Sequence, residues 1–278
     1  EKVSLSFAVK QENVFGSGNY LGIDVNTSKY KRTFVFSTTN PYFTPDGISR
    51  TFDLYYRTDK PYEDQGGNYE LVTTGASMRF GIPFSETDTV FFGGGLERSQ
   101  IKPGTNIPAA YLAYADRFGY TSTSVPLTRD DRDSALAPNS GRYQRLNSEW
   151  SVAGDARYVR ANYQYQQYVP LNKKFTLAFN GEVGLGKGMN GRPFPVFKNF
   201  YSGGLGSVRG FDQGTLGPRD VTGASLGGPK KVTLNAELIT PFPGAGNDRT
   251  LRMFTFVDVG NVYGDEEKVR FGEMRASV

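Results

Sequence analysis

The apolar residues of this chain recur at every second position, in runs of about ten residues separated by turns. Successive side chains of a β-strand leave opposite faces, so this spacing constrains the fold more than any other feature of the chain. Between Lys2 and Glu12, Val3, Leu5 and Phe7 share one face and Ser4, Ser6 and Ala8 the other. Leu21, Ile23 and Val25 alternate with Gly22, Asp24 and Asn26, and Phe34 and Phe36 share a face within Thr33–Thr39. Phe52, Leu54 and Tyr56 alternate with Asp53, Tyr55 and Arg57. Further strands are expected over Tyr69–Pro83, Val90–Ile101, Arg145–Ala153 and Tyr158–Val169. Phe175, Leu177, Phe179, Val183 and Leu185 share a face opposite Thr176, Ala178, Asn180 and Glu182. Val232, Leu234, Ala236 and Leu238 alternate with Thr233, Asn235 and Glu237, and Leu251–Val259 and Val269–Val278 finish the chain.

Pro, Gly, Asn and Asp mark the turns, as in Phe15–Asn19, Asn40–Gly47, Ser85–Asp88, Arg129–Gly141 and Thr240–Gly244. One helical signal interrupts: Pro108 to Gly119 has Pro near its start and Gly past its end, which predicts a short helix in a long loop. The pattern reads as short turns alternating strictly with long loops. That is the signature of a transmembrane antiparallel barrel, with apolar side chains toward lipid and polar ones toward the lumen. A soluble β-sandwich is the competing reading, with Greek-key connections of variable length.

Composition narrows function. Mean hydropathy is −0.47, and no apolar run reaches the roughly 18 residues of a membrane helix, but hydropathy is blind to membrane strands. The 34 Gly, 21 Phe and 17 Tyr beside one Trp and four Met suit strands and turns. Glu1-Lys2-Val3 reads as the start of a strand, not of a signal peptide. The 32 basic and 28 acidic residues are too balanced to suggest nucleic acid. With no cysteine and no histidine there is no thiolate metal site, no disulfide, and no Ser-His pair. No G-x-S-x-G nucleophile elbow is expected either, so the chain reads as a non-enzyme without cofactor or metal.

The stretch from Pro193 to Arg219 is too aromatic for a linker. Phe194, Phe197, Phe200 and Tyr201 precede Gly203, Gly204 and Gly206, then Val208-Arg209-Gly210-Phe211. Glycine lets such a loop fold back on itself. Strand parity puts Glu237 and Asp258 on the lumenal face, where an inward-folded loop would bring Arg209 to them. An exposed loop arginine with two carboxylates that merely solvate a pore fits the same pattern.

The tracts FYSGG, SVRGF and LGP resemble the signature loop of the BamA family of outer-membrane assembly factors. PFPVFKNF, TNPYFTPDG, RDDRDSALAPNSG, and ELITPFPG through FVDVGNVYG are similar to further landmarks of that family, in order and over nearly the whole chain. The resemblance implies one barrel domain over residues 1–278, with residues 186–230 as a lumenal loop. It implies that Arg209 pairs with Glu237 and Asp258, and that Val208, Gly210 and Phe211 complete the loop tip. It further implies assembly of other barrels into the bacterial outer membrane by strand templating at a lateral seam. Partners would be nascent outer-membrane proteins, outer-membrane lipid and lipopolysaccharide, and BAM lipoproteins met mainly through POTRA domains. The family's POTRA domains are not expected within this sequence. Its barrel has sixteen strands, against about thirteen here, starting near the second and stopping before the last two. SVPLT, before Arg129, reads as too short and too polar for the strand expected there. A protein-export pore of the same superfamily, a passive porin and a barrel enzyme are the alternatives.

Overall fold

The computed structural model describes all residues except 1–3, 29–30, 61–68, 86–87, 105–106, 108, 113–117, 222 and 245–250. Among the described residues, thirteen strands form one antiparallel sheet, each paired with the next in chain order. They are β1 Leu5–Gln11, β2 Tyr20–Thr27, β3 Lys31–Asn40, β4 Ser49–Asp59, β5 Tyr69–Pro83, β6 Asp88–Pro103 and β7 Phe118–Asp130. Then come β8 Gly141–Ser151, β9 Tyr158–Pro170, β10 Thr176–Gly188, β11 Lys230–Pro241, β12 Arg252–Tyr263 and β13 Arg275–Ser277. No ladder joins β1 to β13 among the described residues.

Register carries the alternation from strand to strand. Asn180 pairs with Asn235, and Asn235 with Asp258, so these side chains share the inner face. The outer face is the apolar one. Leu96 is 68% and Leu234 49% exposed, whereas Thr233 is 1% exposed on the inner face. A sandwich would bury its apolar face, so this inverted distribution decides for a barrel wall. No helix among the described residues is long and apolar enough to cross a membrane.

Several expectations need correction. Short turns do not alternate strictly with long loops: the connection 28–30 lies at the same end as 189–229. A reversal needs only a few residues at either end, so length follows what a loop does rather than the strand order. The helix is shorter than expected, α1 at Ala109–Leu112, and Phe118 and Gly119 belong to β7; Pro108 and Ala113–Arg117 lie outside the described residues, as do Val3 of the first expected strand and Glu86 and Thr87 of the Ser85–Asp88 turn. SVPLT is a strand after all, inside β7. Pro126 has no N–H to give, and the ladder to β6 is interrupted between Val90↔Leu127 and Gly93↔Ser124, while the ladder to β8 continues through Pro126↔Asn147. The last strand is only Arg275–Ser277, because residues before it form a turn tied by Arg270 to Glu273 at 2.7 Å.

Candidate loop-docking site

β10 extends to Gly188 and β11 begins at Lys230, so the long connection is 189–229, slightly shorter than the loop expected over 186–230. Its seat is a row of glycines at period two on the inner face of β10. A Cβ at Gly184 would lie 2.8 Å from the Phe200 ring, and one at Gly186 would run into the ring of Phe194. Phe194 and Phe200 are buried there. Phe194 packs edge-on to Tyr158, which meets Tyr120, and Tyr120 meets Phe197. Lys198 reaches Glu149 of β8 at 2.5 Å and Glu97 of β6 at 3.7 Å. The Tyr158 hydroxyl donates to the same Glu149. The first limb of the loop is therefore fixed to the β6–β8 side of the wall.

The tip turns at Gly203 and Gly204, whose φ values of 110° and 92° suit glycine. Gly203 N–H donates to the Ser207 hydroxyl at 2.8 Å, Ser207 N–H to Gly204 O and Gly204 N–H to Val208 O at 3.0 Å. Asn180 donates to Asn235, and Asn235 to the Ser207 carbonyl, so a polar chain runs from the wall into the tip.

Arg209 closes the arrangement. Its Nε and Nη2 donate to the two Asp258 oxygens at 2.6 Å each, and its backbone N–H donates to Asp258 Oδ2 at 3.0 Å. Nη1 lies 2.6 Å from Glu237 Oε1. The guanidinium carbon stands 3.8 Å from the Phe256 ring centroid and 5.5 Å from that of Phe254. Asp258 is fully buried and the Arg209 side chain 13% exposed. The fork thus satisfies two carboxylates and covers an aromatic face, the combination that makes a desolvated arginine tolerable. Hydrogen bonds to Asp258, then to Glu237, hold its pKa above the ordinary arginine value against the opposing effect of burial.

Val208 is completely buried. It fills the space left by Gly260, where an added Cβ would lie 2.9 Å from Val208 and 2.8 Å from Thr233. Gly210, at φ 80°, passes Ser277 of β13. Phe211 lines a cavity with Leu216, Val262 and Tyr263. Of the residues expected from sequence, Arg209, Glu237 and Asp258 meet, Val208 packs at Gly260, Gly210 passes Ser277 and Phe211 lines the neighbouring cavity.

Sequence reasoning missed Phe256, Asn235, Gly260 and the Lys198 cluster. Phe256 shares the parity of Asp258, and it pairs with Glu237; an aromatic on a polar face was the available signal. One expectation fails at the level of letters: Gly223-Ala224-Ser225-Leu226-Gly227 does spell G-x-S-x-G. Ser225 is buried in a loop, donates to the Gly214 carbonyl and has no histidine to activate it, so the tract lacks the strand-turn-helix of a nucleophile elbow.

Comparison with known proteins follows the same line. The Omp85 superfamily domain matches residues 13–278. The outer membrane protein assembly factor BamA of Neisseria meningitidis serogroup B is 36% identical over 93% of this chain. The chain spans about a third of the length of the curated relatives it matches. BamA from Haemophilus ducreyi lacking POTRA domains 1-3 has the same fold, with a TM-score of 0.88 at 22% identity over 99% of this chain and 61% of that one. CdiB from Acinetobacter baumannii is more distant, at a TM-score of 0.56 and 16% identity over 96% of this chain and 48% of that one. With the domain matched from residue 13 to the end and such a relative along nearly the whole sequence, the chain belongs to the BamA family of the Omp85 superfamily.

Proposed function

We propose that this chain is the barrel of a factor that assembles other β-barrel proteins into the bacterial outer membrane. The observation that carries the proposal is the buried Arg209–Asp258–Glu237 clamp inside an apolar-faced wall. It fits a relative whose name is outer membrane protein assembly factor. The outer face suits hydrocarbon, which supports a wall set in the membrane. The loop occupies the lumen, so work on a client falls to the wall and its edges. A nascent strand adds to a sheet edge through main-chain hydrogen bonds, and no covalent chemistry is required. Locally thinned lipid beside the edge lowers the barrier to insertion. Nascent outer-membrane proteins, outer-membrane lipid and lipopolysaccharide, and the lipoproteins of a BAM complex are the partners this role requires.

The test is Arg209→Ala. Loop protection from protease and client insertion should fall together; wild-type levels of both would sink this role for Arg209. Export of a single partner protein by the same Omp85 fold is the second reading. Depletion separates the two, because loss of an assembly factor removes many barrels and loss of an exporter abolishes one secreted protein.

A further inference from the structure

The turn between β7 and β8, residues 131–140, does not hang below its own strands. The Arg252 guanidinium, at the start of β12, donates from Nη1 to the Pro138 carbonyl at 2.8 Å and from Nη2 to the Ala137 carbonyl at 2.6 Å. Three strands, β9 to β11, separate β8 from β12. At about 4.8 Å per strand, that is roughly 19 Å along the wall. One arginine side chain cannot cover such a distance, so the turn itself must lean across. Thr176 at the start of β10 meets Asn139 at 3.5 Å on the way. Register puts Thr176 and Arg252 on the inner face, and Pro138 is buried.

The turn is built to hold that shape. Asp133 accepts from the Asn139 and Ser140 amides at 2.9 and 3.1 Å, and Ser134 accepts from Ala137 N–H. Arg132 forks onto Asp130 at 2.8 and 2.7 Å. Gly141, at φ 100°, lets the chain leave so sharply that a Cβ there would meet Arg132 Cα at 2.7 Å.

We propose that this turn is a floor across one mouth of the lumen, and that Arg252 is the positioning residue that holds it. Arg252, Phe254, Phe256 and Asp258 form one inward row on β12. The row grips the long loop arriving from one end and the turn arriving from the other. The lumen is thereby closed twice, and releasing the loop alone leaves the floor in place. The inference rests on the barrel reading and not on the assembly activity.

The experiment uses the full-length protein in planar bilayers and in liposomes. Arg252→Met alone should leave the open-channel probability near wild type, because the docked loop still closes the lumen, and in the Arg209→Ala background it should raise that probability several-fold. A cysteine placed by Asn139→Cys should react with a bulky maleimide at least tenfold faster in the Arg252→Met background. Arg252→Lys, a compact charge without the planar fork that spans both carbonyls, should fall between. Pro138→Gly leaves β12 untouched, and it carries the same comparison should Arg252→Met lose the heat-modifiable mobility of a folded barrel. Unchanged conductance in the Arg209→Ala background and unchanged maleimide rates in the folded variants overturn the floor, while client insertion in the same proteins reports separately on assembly.

Discussion

The two carboxylates that sequence parity treats alike are unequal, and Asp258→Asn against Glu237→Gln measures by how much. Asp258 is fully buried and receives three N–H donors from Arg209. Glu237 meets a single terminal nitrogen, and its side chain is 28% exposed. Breaking a buried pair from one side costs about 3–5 kcal/mol, because the remaining charge stays desolvated. The carboxamide introduced by Asp258→Asn would also turn an N–H₂ donor toward the fork. For Glu237, partial exposure leaves about 1 kcal/mol. At about 1.4 kcal/mol per decade, Asp258→Asn raises the undocked population by a factor on the order of 10²–10³, and Glu237→Gln by about fivefold. Amide exchange in nanodiscs reads this directly at Arg209, whose N–H is bonded to Asp258 while the tip is docked, and at Gly204 and Ser207, whose N–H groups are bonded within the folded tip. Equal exchange in the two variants, or faster exchange in Glu237→Gln, would refute the assignment of Asp258 as the principal anchor.

Gly260→Ala should displace Val208 and weaken docking by about 1–3 kcal/mol; adding Val208→Ala should restore part of the loss in a protease-protection assay, and an additive double variant would contradict the contact. Lys198→Met leaves Glu97 and Glu149 facing each other without their cation, which costs about 2 kcal/mol at this partial burial. The exchange of Lys198 and Asn199 amides should rise while Arg209 stays protected, and Glu149→Gln should relieve the defect. The Asp133 carboxyl is held below its usual value; burial opposes this, but the Asn139 and Ser140 amides outweigh it. A depressed folded value means stability present above pH 3.8, the unfolded value, and lost as pH falls through the lower folded one. Maleimide labelling of a cysteine at Asn139 should therefore show more exposure after incubation at acid pH than at pH 5, an effect that Asp133→Asn should abolish.

The strands were legible because side-chain alternation is a local property, set by each residue and its second neighbour. Parity then put Glu237 and Asp258 inside without any knowledge of the wall's curvature. What stayed hidden was contact at long range. Nothing beside Lys198 in the chain says that it will reach β6 and β8, and nothing beside Arg252 says that its acceptors lie more than a hundred residues earlier. SVPLT misled because it is short and polar; it holds as a strand inside β7, where the missing donor of Pro126 goes with an interruption of one ladder while the other continues. The glycines at 184, 186 and 188 were a readable signal, since a small-residue row on a lumenal parity asks what fills it.

Docking of the loop also tests the wall. The fork of Arg209 spans two strands diagonally: Glu237 stands opposite Phe256, and Asp258 opposite Asn235. A slip of one residue between β11 and β12 would turn either carboxylate to the outer face. A slip of two residues would keep both inside: in one direction it parts them by about 7 Å more, beyond one planar guanidinium, and in the other it brings them abreast and takes Phe256 out from beside Glu237. The Phe256 face under the arginine would move by the same amount. Arg209 can therefore dock only where β11 and β12 hold their native register, and once docked it opposes any shear between them. On the proposed function, this fixes the strands beside the loop and leaves movement to strands that the loop does not touch, which is where a templating edge has to be.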